Sequence, residues 1–199
     1  MKTIKVRLEF TEELLGTASA NPDIHSEYIA SLAPDALSRA EEVEAVGAAA
    51  VEEKAMTVFP RDEEGWPILF DYQIKGFFKD ACGVLRKVKG TKSEKIKAYK
   101  KEIDGLVFVS PRKILLHTPG DLGTCQRPLR ASTAQGERIA LANSETAPAG
   151  TYIEFDVKCY TDTMYDAVYE WLDYGEDRGI GQWRNSGKGR FSWDERPEI

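Results

Sequence analysis

Two amphipathic helices, each set between β-rich segments, constrain the fold of this 199-residue chain most strongly. The first is predicted over residues 72–88 and the second from Thr163 to Gly175, because apolar residues recur there at i, i+3 and i+4 and so form one buried face. In the first helix they are Ile74, Phe77, Phe78, Ala81, Cys82, Val84 and Leu85, and in the second Met164, Ala167, Val168, Trp171 and Leu172. Thr163 has the hydroxyl of an N-cap and is predicted to begin the second helix.

Strand-like sequence surrounds both helices. Residues 3–10, 106–117 and 190–193 are β-rich, and residues 151–160 alternate apolar and polar side chains with the period of two that a half-buried strand requires. Residues 137–142 are also predicted to be a strand. If an insertion after the first strand and an accessory hairpin, both described below, are set aside, the order of elements is β-α-β-β-α-β. This order is the split βαβ arrangement. We therefore expect an α+β, ferredoxin-like (RRM-like) fold with an antiparallel sheet and both helices on one of its faces.

The other segments are predicted as additions to a single domain over residues 1–199. Residues 17–55, polar and rich in Ala and Glu, are expected to be a helical insertion after the first strand. Residues 56–59 and 67–70 flank a turn-forming Pro-Arg-Asp-Glu-Glu-Gly stretch, which predicts an accessory β-hairpin. Residues 118–135 are rich in Gly, Pro and Arg, and we expect an irregular loop there.

Charge is strongly segregated along the chain, although the net charge is only −6. Residues 1–66 hold 6 basic and 14 acidic residues, residues 67–133 hold 14 and 6, and residues 134–199 hold 7 and 13. The middle third is therefore a basic island, which is either a solvated helical face or the footprint of a phosphate-binding surface. Its densest part comprises Arg86, Lys87, Lys89, Lys92, Lys95, Lys97, Lys100 and Lys101.

Several classes of protein are disfavoured. No apolar run approaches the roughly 20 residues of a membrane span, and the N-terminus lacks the apolar block of a signal peptide, so we expect a cytoplasmic protein without a membrane partner. Cys82, Cys125 and Cys159 are widely spaced, which indicates neither a disulfide framework nor a zinc site. Phosphate-loop and dinucleotide-binding fingerprints are also absent from the sequence. We therefore predict no metal and no cofactor.

A glycine-rich segment follows the second helix. Residues 179–190 contain four glycines and the cations Arg184, Lys188 and Arg190. Glycine reaches positive φ without steric cost and has no Cβ to hold a ligand away, and the interleaved cations can pair with phosphates. Taken alone, the segment is either a tight helix-to-strand connection or a polyanion site.

Two segments carry a resemblance to a known family. The glycine-rich segment is similar to the Gly-x-Gly, spacer, Gly-x-Gly signature of the RAMP superfamily of CRISPR-associated RNA-binding proteins, and residues 73–80 (Gln-Ile-Lys-Gly-Phe-Phe-Lys-Asp) resemble the Ser-Leu-Lys-Gly-x-x-Arg opening of the first helix in its Cas7 branch. The first strand leading into Leu14-Leu15-Gly16 also looks like that branch. Phe70-Asp71-Tyr72 replaces the usual Pro-Gly-Ser, which suggests a divergent or stand-alone member.

The resemblance implies a non-catalytic subunit that binds the backbone of single-stranded (guide) RNA and assembles into a ribonucleoprotein as a homo-oligomer or with other CRISPR-type subunits. It implies that residues 118–135 form a thumb-like loop, and that a nearby aromatic residue stacks on bases. Trp183, inside the glycine-rich segment, is the favoured candidate for stacking, whereas Phe77 is predicted to lie in the core. The implied RNA-binding residues are Lys75, Gly76, Lys79, Arg127, Arg130, Gly179, Gly181, Trp183, Arg184, Gly187, Lys188, Gly189 and Arg190.

Two alternatives remain open from the sequence. The first is a RAMP-type endoribonuclease, for which His25 as general acid/base or Asp23 in metal-dependent cleavage are the candidate catalytic residues. The second is a phage or mobile-element protein-interaction or decoy module, for which the acidic residues 1–66 are the support.

Overall fold

The computed structural model describes residues 1–19, 56–133 and 136–197, with side chains except at 129–140. It combines helices and antiparallel sheets, so the predicted α+β class is confirmed. The strands in chain order are β1 (Lys2–Phe10), β2 (Leu14–Leu15), β3 (Ala18–Ser19), β4 (Thr57–Val58), β5 (Ile68–Phe70), β6 (Val107–Ser110), β7 (Lys113–Leu115), β8 (Gly123–Thr133), β9 (Gly136–Ala147), β10 (Tyr152–Cys159) and β11 (Phe191–Glu195). The helices are α1 (Asp71–Leu85), α2 (Tyr99–Leu106) and α3 (Asp162–Arg178).

A four-stranded antiparallel sheet lies at the centre, with its strands in the order β11-β1-β10-β6. Side chains alternate between its two faces along each strand. On one face Ile4, Val6, Ile153 and Phe155 are buried, whereas the opposite face carries half-buried charged residues such as Arg7. Only the first face therefore belongs to the hydrophobic core.

Helices α1 and α3 cover that buried face. Their rings meet where Phe78 of α1 lies 5.4 Å from Trp171 of α3, measured between ring centroids. A Cβ on Gly175 would lie 2.2 Å from the ring of Phe191 and 2.6 Å from the ring of Phe77, so the absence of a side chain there lets both rings pack beneath α3. The periodicity that predicted the two helices thus reflects a shared core.

A second sheet corrects the prediction that residues 118–135 are irregular. Strand β8 pairs with β9 in antiparallel register from Gly123↔Thr146 to Thr133↔Gly136, and β9 continues to β2 and β4. Pro128 does not prevent this, because within the described residues β8 pairs only with β9. Proline is tolerated on such an edge strand at positions where the N–H would face away from the partner strand.

The accessory hairpin is also different from the prediction. The turn exists, since Arg61 and Pro67 form an antiparallel bridge, but the strands on either side separate. Strand β4 joins the second sheet through β3 and β9, whereas β5 pairs with β7 in a two-stranded sheet of its own. The turn could be predicted because it depends on neighbouring residues. The strands that pair with β4 and β5 depend on other parts of the chain, so the pairing could not be predicted in the same way.

Thr161, two residues before the predicted cap, begins α3. Its side-chain oxygen accepts a hydrogen bond from the backbone N–H of Met164 at 3.2 Å. Thr163 lies inside the first turn of the helix. Either threonine fits the preference for a hydroxyl side chain at the N-cap. The extended backbone of Thr161 (φ −130°, ψ 153°) identifies this residue as the cap.

Most of the predicted insertion, residues 17–55, lies outside the described residues; of its described part, Ala18 and Ser19 form β3. No helix in the described ranges is both long enough and apolar enough to cross a membrane.

Candidate nucleic-acid interface

The glycine-rich loop is a tightly packed turn. Gly179, Gly181, Gly187 and Gly189 all have φ between 71° and 84°. A Cβ on Gly189 would lie 2.0 Å from the carbonyl oxygen of Ile180, and a Cβ on Gly179 would lie 2.8 Å from the carbonyl oxygen of Lys188. The backbone N–H of Ile180 donates to Gly189 at 2.9 Å. Two of the four glycines are therefore required by the loop's own packing, whether or not a ligand approaches it.

Two cations of the loop are held by carboxylates from distant parts of the chain. Arg184 donates to Asp80 of α1 at 2.6 Å, and Arg178 reaches the same carboxylate oxygen at 3.4 Å. Lys188 lies 2.8 Å from Glu13, and this hydrogen bond raises the pKa of Lys188. Arg190 is exposed and has no ion pair among the described residues. The loop thus presents cations in a fixed arrangement, most of them already neutralised in part.

Strand β8 and the glycine-rich loop meet at Trp183. The guanidinium carbon of Arg127 lies 5.4 Å from the Trp183 ring centroid, and Arg127 donates to Gln182 at 2.7 Å. Trp183 has φ of 55°, the only positive φ among the described non-glycine residues. Arg130 lies three residues further along β8, where its backbone pairs with Ile139. The predicted Arg127 and Trp183 are therefore neighbours.

Phe77, by contrast, is not available for base stacking. Phe77 is 4% exposed and its ring packs against Phe78 and Phe191 in the core, so the prediction that it is a core residue is confirmed. The i+3 and i+4 apolar spacing of its helix had already favoured burial.

Helix α1 and the glycine-rich loop share a groove. A cavity of about 260 Å³ lies between them, lined on the helix side by Gln73, Gly76 and Asp80 and on the loop side by Gly181 and Arg184. A Cβ on Gly76 would meet no atom within 4 Å. The α1 groove is therefore open above Gly76, and it places Gly76 beside the glycine-rich loop.

Lys75 and Lys79 lie on the other flank of α1, away from the loop. Lys79 pairs with Asp104 of α2 at 2.6 Å, and Lys75 donates to the backbone carbonyl of Asp104 at 3.2 Å. Lys75 also lies over the ring of Phe108, 5.1 Å from its centroid. The two predicted cation groups thus flank the exposed side of α1 instead of converging at one point.

Sequence reasoning overlooked two exposed aromatic residues near these lysines, Phe108 of β6 and Tyr160 just after β10. Their ring centroids lie 5.6 Å apart. Phe108 is the outward-facing residue between the buried Val107 and Val109. That alternation is visible in the sequence and could have identified it.

Catalytic candidates remain untested by the structure. His25 and Asp23 lie outside the described residues. His117 stacks on Tyr152 with centroids 4.5 Å apart and exchanges backbone hydrogen bonds with it, which is a structural pairing. Within the described ranges no group of three or more His, Cys, Asp or Glu residues could hold a metal ion.

Neither a family model nor a curated protein matches this chain. Solved structures do match. Over 97% of its length the chain superposes on a chain in the cryo-EM structure of the Type III-B Cmr-beta bound to cognate target RNA, with a TM-score of 0.57 and 10% sequence identity. It spans 58% of that chain. A chain of a Type IV-B CRISPR complex matches with a TM-score of 0.49 and 13% identity, covering 100% of this chain and 94% of that one. The likeness to the Cmr-beta chain shows a shared fold.

Proposed function

We propose that this protein binds single-stranded RNA across the exposed N-terminal half of α1, as a Cas7-like subunit of a ribonucleoprotein. The observation that carries this proposal is the open surface above Gly76 with a pair of cations on each flank. Arg178 and Arg184 lie on the loop side, and Lys75 and Lys79 lie on the α2 side. A phosphate backbone fits between two such flanks, because glycine admits it and the cations attract it.

The fold supports the same proposal. The strand order β11-β1-β10-β6, with helices α1 and α3 on one face, is the order expected of a ferredoxin-like domain. The Cmr-beta chain that shares the fold comes from a structure with bound target RNA. We accordingly propose a single-stranded guide RNA, further copies of this chain and other CRISPR-type subunits as the partners.

The electrostatics of the two flanks predict how strongly salt should weaken binding. On each flank two cations share one carboxylate, Asp80 or Asp104, so each flank offers about one net positive charge. For single strands the slope of log K against log[salt] is about −0.7 per neutralised phosphate. These two flanks together should therefore contribute a slope of about −1.4, whereas four unpaired cations would contribute about −2.8.

Gly76→Ala separates RNA binding from folding. Because glycine inside a helix is about 0.5–1 kcal/mol less favourable than alanine, and the new Cβ meets nothing, this variant should be more stable than the wild type. Its methyl group stands where the proposed backbone passes, so its affinity for a fluorescein-labelled single-stranded RNA should fall. Anisotropy titration measures the affinity and thermal unfolding measures the stability.

Charge variants complete the test. Lys75→Ala and Arg184→Ala should each weaken binding roughly tenfold at low salt, as expected for the loss of a hydrogen bond to a charged group. Lys92→Ala is the matched control, because Lys92 lies beyond the C-terminal end of α1, where it pairs with Asp166 of α3, and this variant should bind like the wild type. Absence of RNA affinity at low salt, or unchanged affinity in Lys75→Ala and Arg184→Ala, would refute the proposal.

The endoribonuclease and decoy alternatives stay hypotheses. Their supporting residues, His25, Asp23 and most of the acidic segment 1–66, lie outside the described residues.

A further inference from the structure

Two exposed aromatic side chains form a pair beside the lysine flank of α1. Phe108 is 45% exposed and Tyr160 is 50% exposed, and their rings meet edge to face at an interplanar angle of 69°. Neither residue belongs to the buried hydrophobic core. The pair therefore contributes little to the burial that stabilises the fold, although each ring has a large apolar face in contact with water.

Each ring of this pair lies close to an ammonium group. Lys75 Nζ is 5.1 Å from the Phe108 ring centroid, and Lys158 Nζ is 5.6 Å from the Tyr160 ring centroid. Both distances fall within the range of cation–π contacts. Proteins that bind single-stranded nucleic acids combine aromatic faces with nearby cations, because bases stack on the rings while the cations attract the phosphates.

Lys75 connects this pair to the surface proposed above. On one side it contacts Asp104 together with Lys79, and on the other it covers Phe108. Strand β6, which carries Phe108, begins directly after α2, which carries Asp104. Phe108 faces away from the helices on β6, the edge strand of the four-stranded sheet, so an RNA strand that leaves the α1 groove on its lysine side reaches the two rings by passing around this edge.

We propose that Phe108 and Tyr160 form an aromatic platform on which an unpaired base of the bound RNA stacks, with Lys75 and Lys158 contacting the adjacent phosphates. This inference rests on the proposed function and adds a base contact to the backbone contacts of the α1 groove. Every base has a π-face, so the platform should tolerate any sequence but require unpaired bases. A duplex, whose bases are already stacked, should not use it.

The test compares Phe108→Leu and Tyr160→Leu, which keep apolar volume and remove the ring, with Trp66→Leu as control. Trp66 is 57% exposed but lies in the turn before β5 and is no part of the platform. The probes are a labelled single-stranded RNA, the same strand with abasic nucleotides, and a duplex. Each platform variant should bind the intact single strand about five- to tenfold more weakly. With the abasic strand the variants and the wild type should be equal, and Trp66→Leu should match the wild type with every probe.

The outcomes separate this inference from the proposed function. If the wild type binds no RNA, both fail. If the wild type binds RNA but both platform variants bind it equally well, the platform is refuted and the proposed function stands. If the variants lose self-association while keeping RNA affinity, the rings are a protein interface and the platform is likewise refuted. Tyr160→Leu alone decides the matter should Phe108→Leu unfold, since Tyr160 lies beyond the end of β10.

Discussion

Two glycines near the C-terminal end of the glycine-rich loop, Gly187 and Gly189, should respond very differently to the same substitution. Gly187 and Gly189 have φ values of 82° and 71°, so alanine at either position has the cost of a left-handed backbone, about 1–2 kcal/mol. At Gly187 the added Cβ would meet only Arg190 Nε, at 3.9 Å. At Gly189 it would lie 2.0 Å from the Ile180 carbonyl oxygen, so the backbone must move.

That movement has a calculable cost. It removes the hydrogen bond from Ile180 N to Gly189 O at 2.9 Å and the one from Gly189 N to Glu13 O at 2.8 Å. At about 1 kcal/mol for each bond, Gly189→Ala should be about 2 kcal/mol less stable than Gly187→Ala. For a chain of this length that is a Tm roughly 4–8 °C lower.

Thermal unfolding followed by circular dichroism, with both variants in one buffer, measures this difference. Equal Tm values for Gly187→Ala and Gly189→Ala would refute the reasoning, because the backbone contact at Gly189 would then contribute nothing. A fall in the Tm of Gly187→Ala alone would refute it more strongly.

Two further predictions concern the helix cap and the cysteines. Thr161→Ala should lower the free energy of unfolding by about 1 kcal/mol through loss of the N-cap, whereas Thr163→Ala should change it by less than about 0.5 kcal/mol. Urea unfolding measures both values, and a larger loss for Thr163→Ala than for Thr161→Ala would contradict the assignment of the cap. Burial raises the pKa of Cys159 to about 12 and also raises the pKa of Cys82, so both thiols stay protonated at pH 8. A thiol reagent should then modify only the half-buried Cys125 in the native protein and all three cysteines in urea, and rapid native labelling of Cys159 would disprove its burial.

Much of the central fold could be predicted from local patterns. The apolar residues of α1 and α3 recur with the helical period, and those of β1 and β10 alternate with a period of two. The sequence pattern therefore identifies the buried face of each element. Strand β8 was not predicted, because its Gly, Pro and Arg residues are typical of a loop. A strand with a partner on one side can contain proline. The pairing of β8 with β9 is a property of the tertiary structure, which composition does not reveal.

The candidate site was predictable only as a set of cations. Which carboxylates neutralise them depends on contacts between distant segments: Asp80 lies 104 residues from Arg184, and Glu13 lies 175 residues from Lys188. The acidic first third thus supplies a partner for the glycine-rich loop, and the basic middle third supplies another. Counting charges by segment therefore overstates the positive charge that the surface presents to a phosphate.

The positive charge that is not neutralised lies on the two flanks of α1, where two cations share one carboxylate. Both flanks lie beside the open surface of Gly76. Under the proposed function, such a weakly cationic surface would bind RNA more through close approach and base stacking than through net charge, so the acidic net charge does not argue against the proposal.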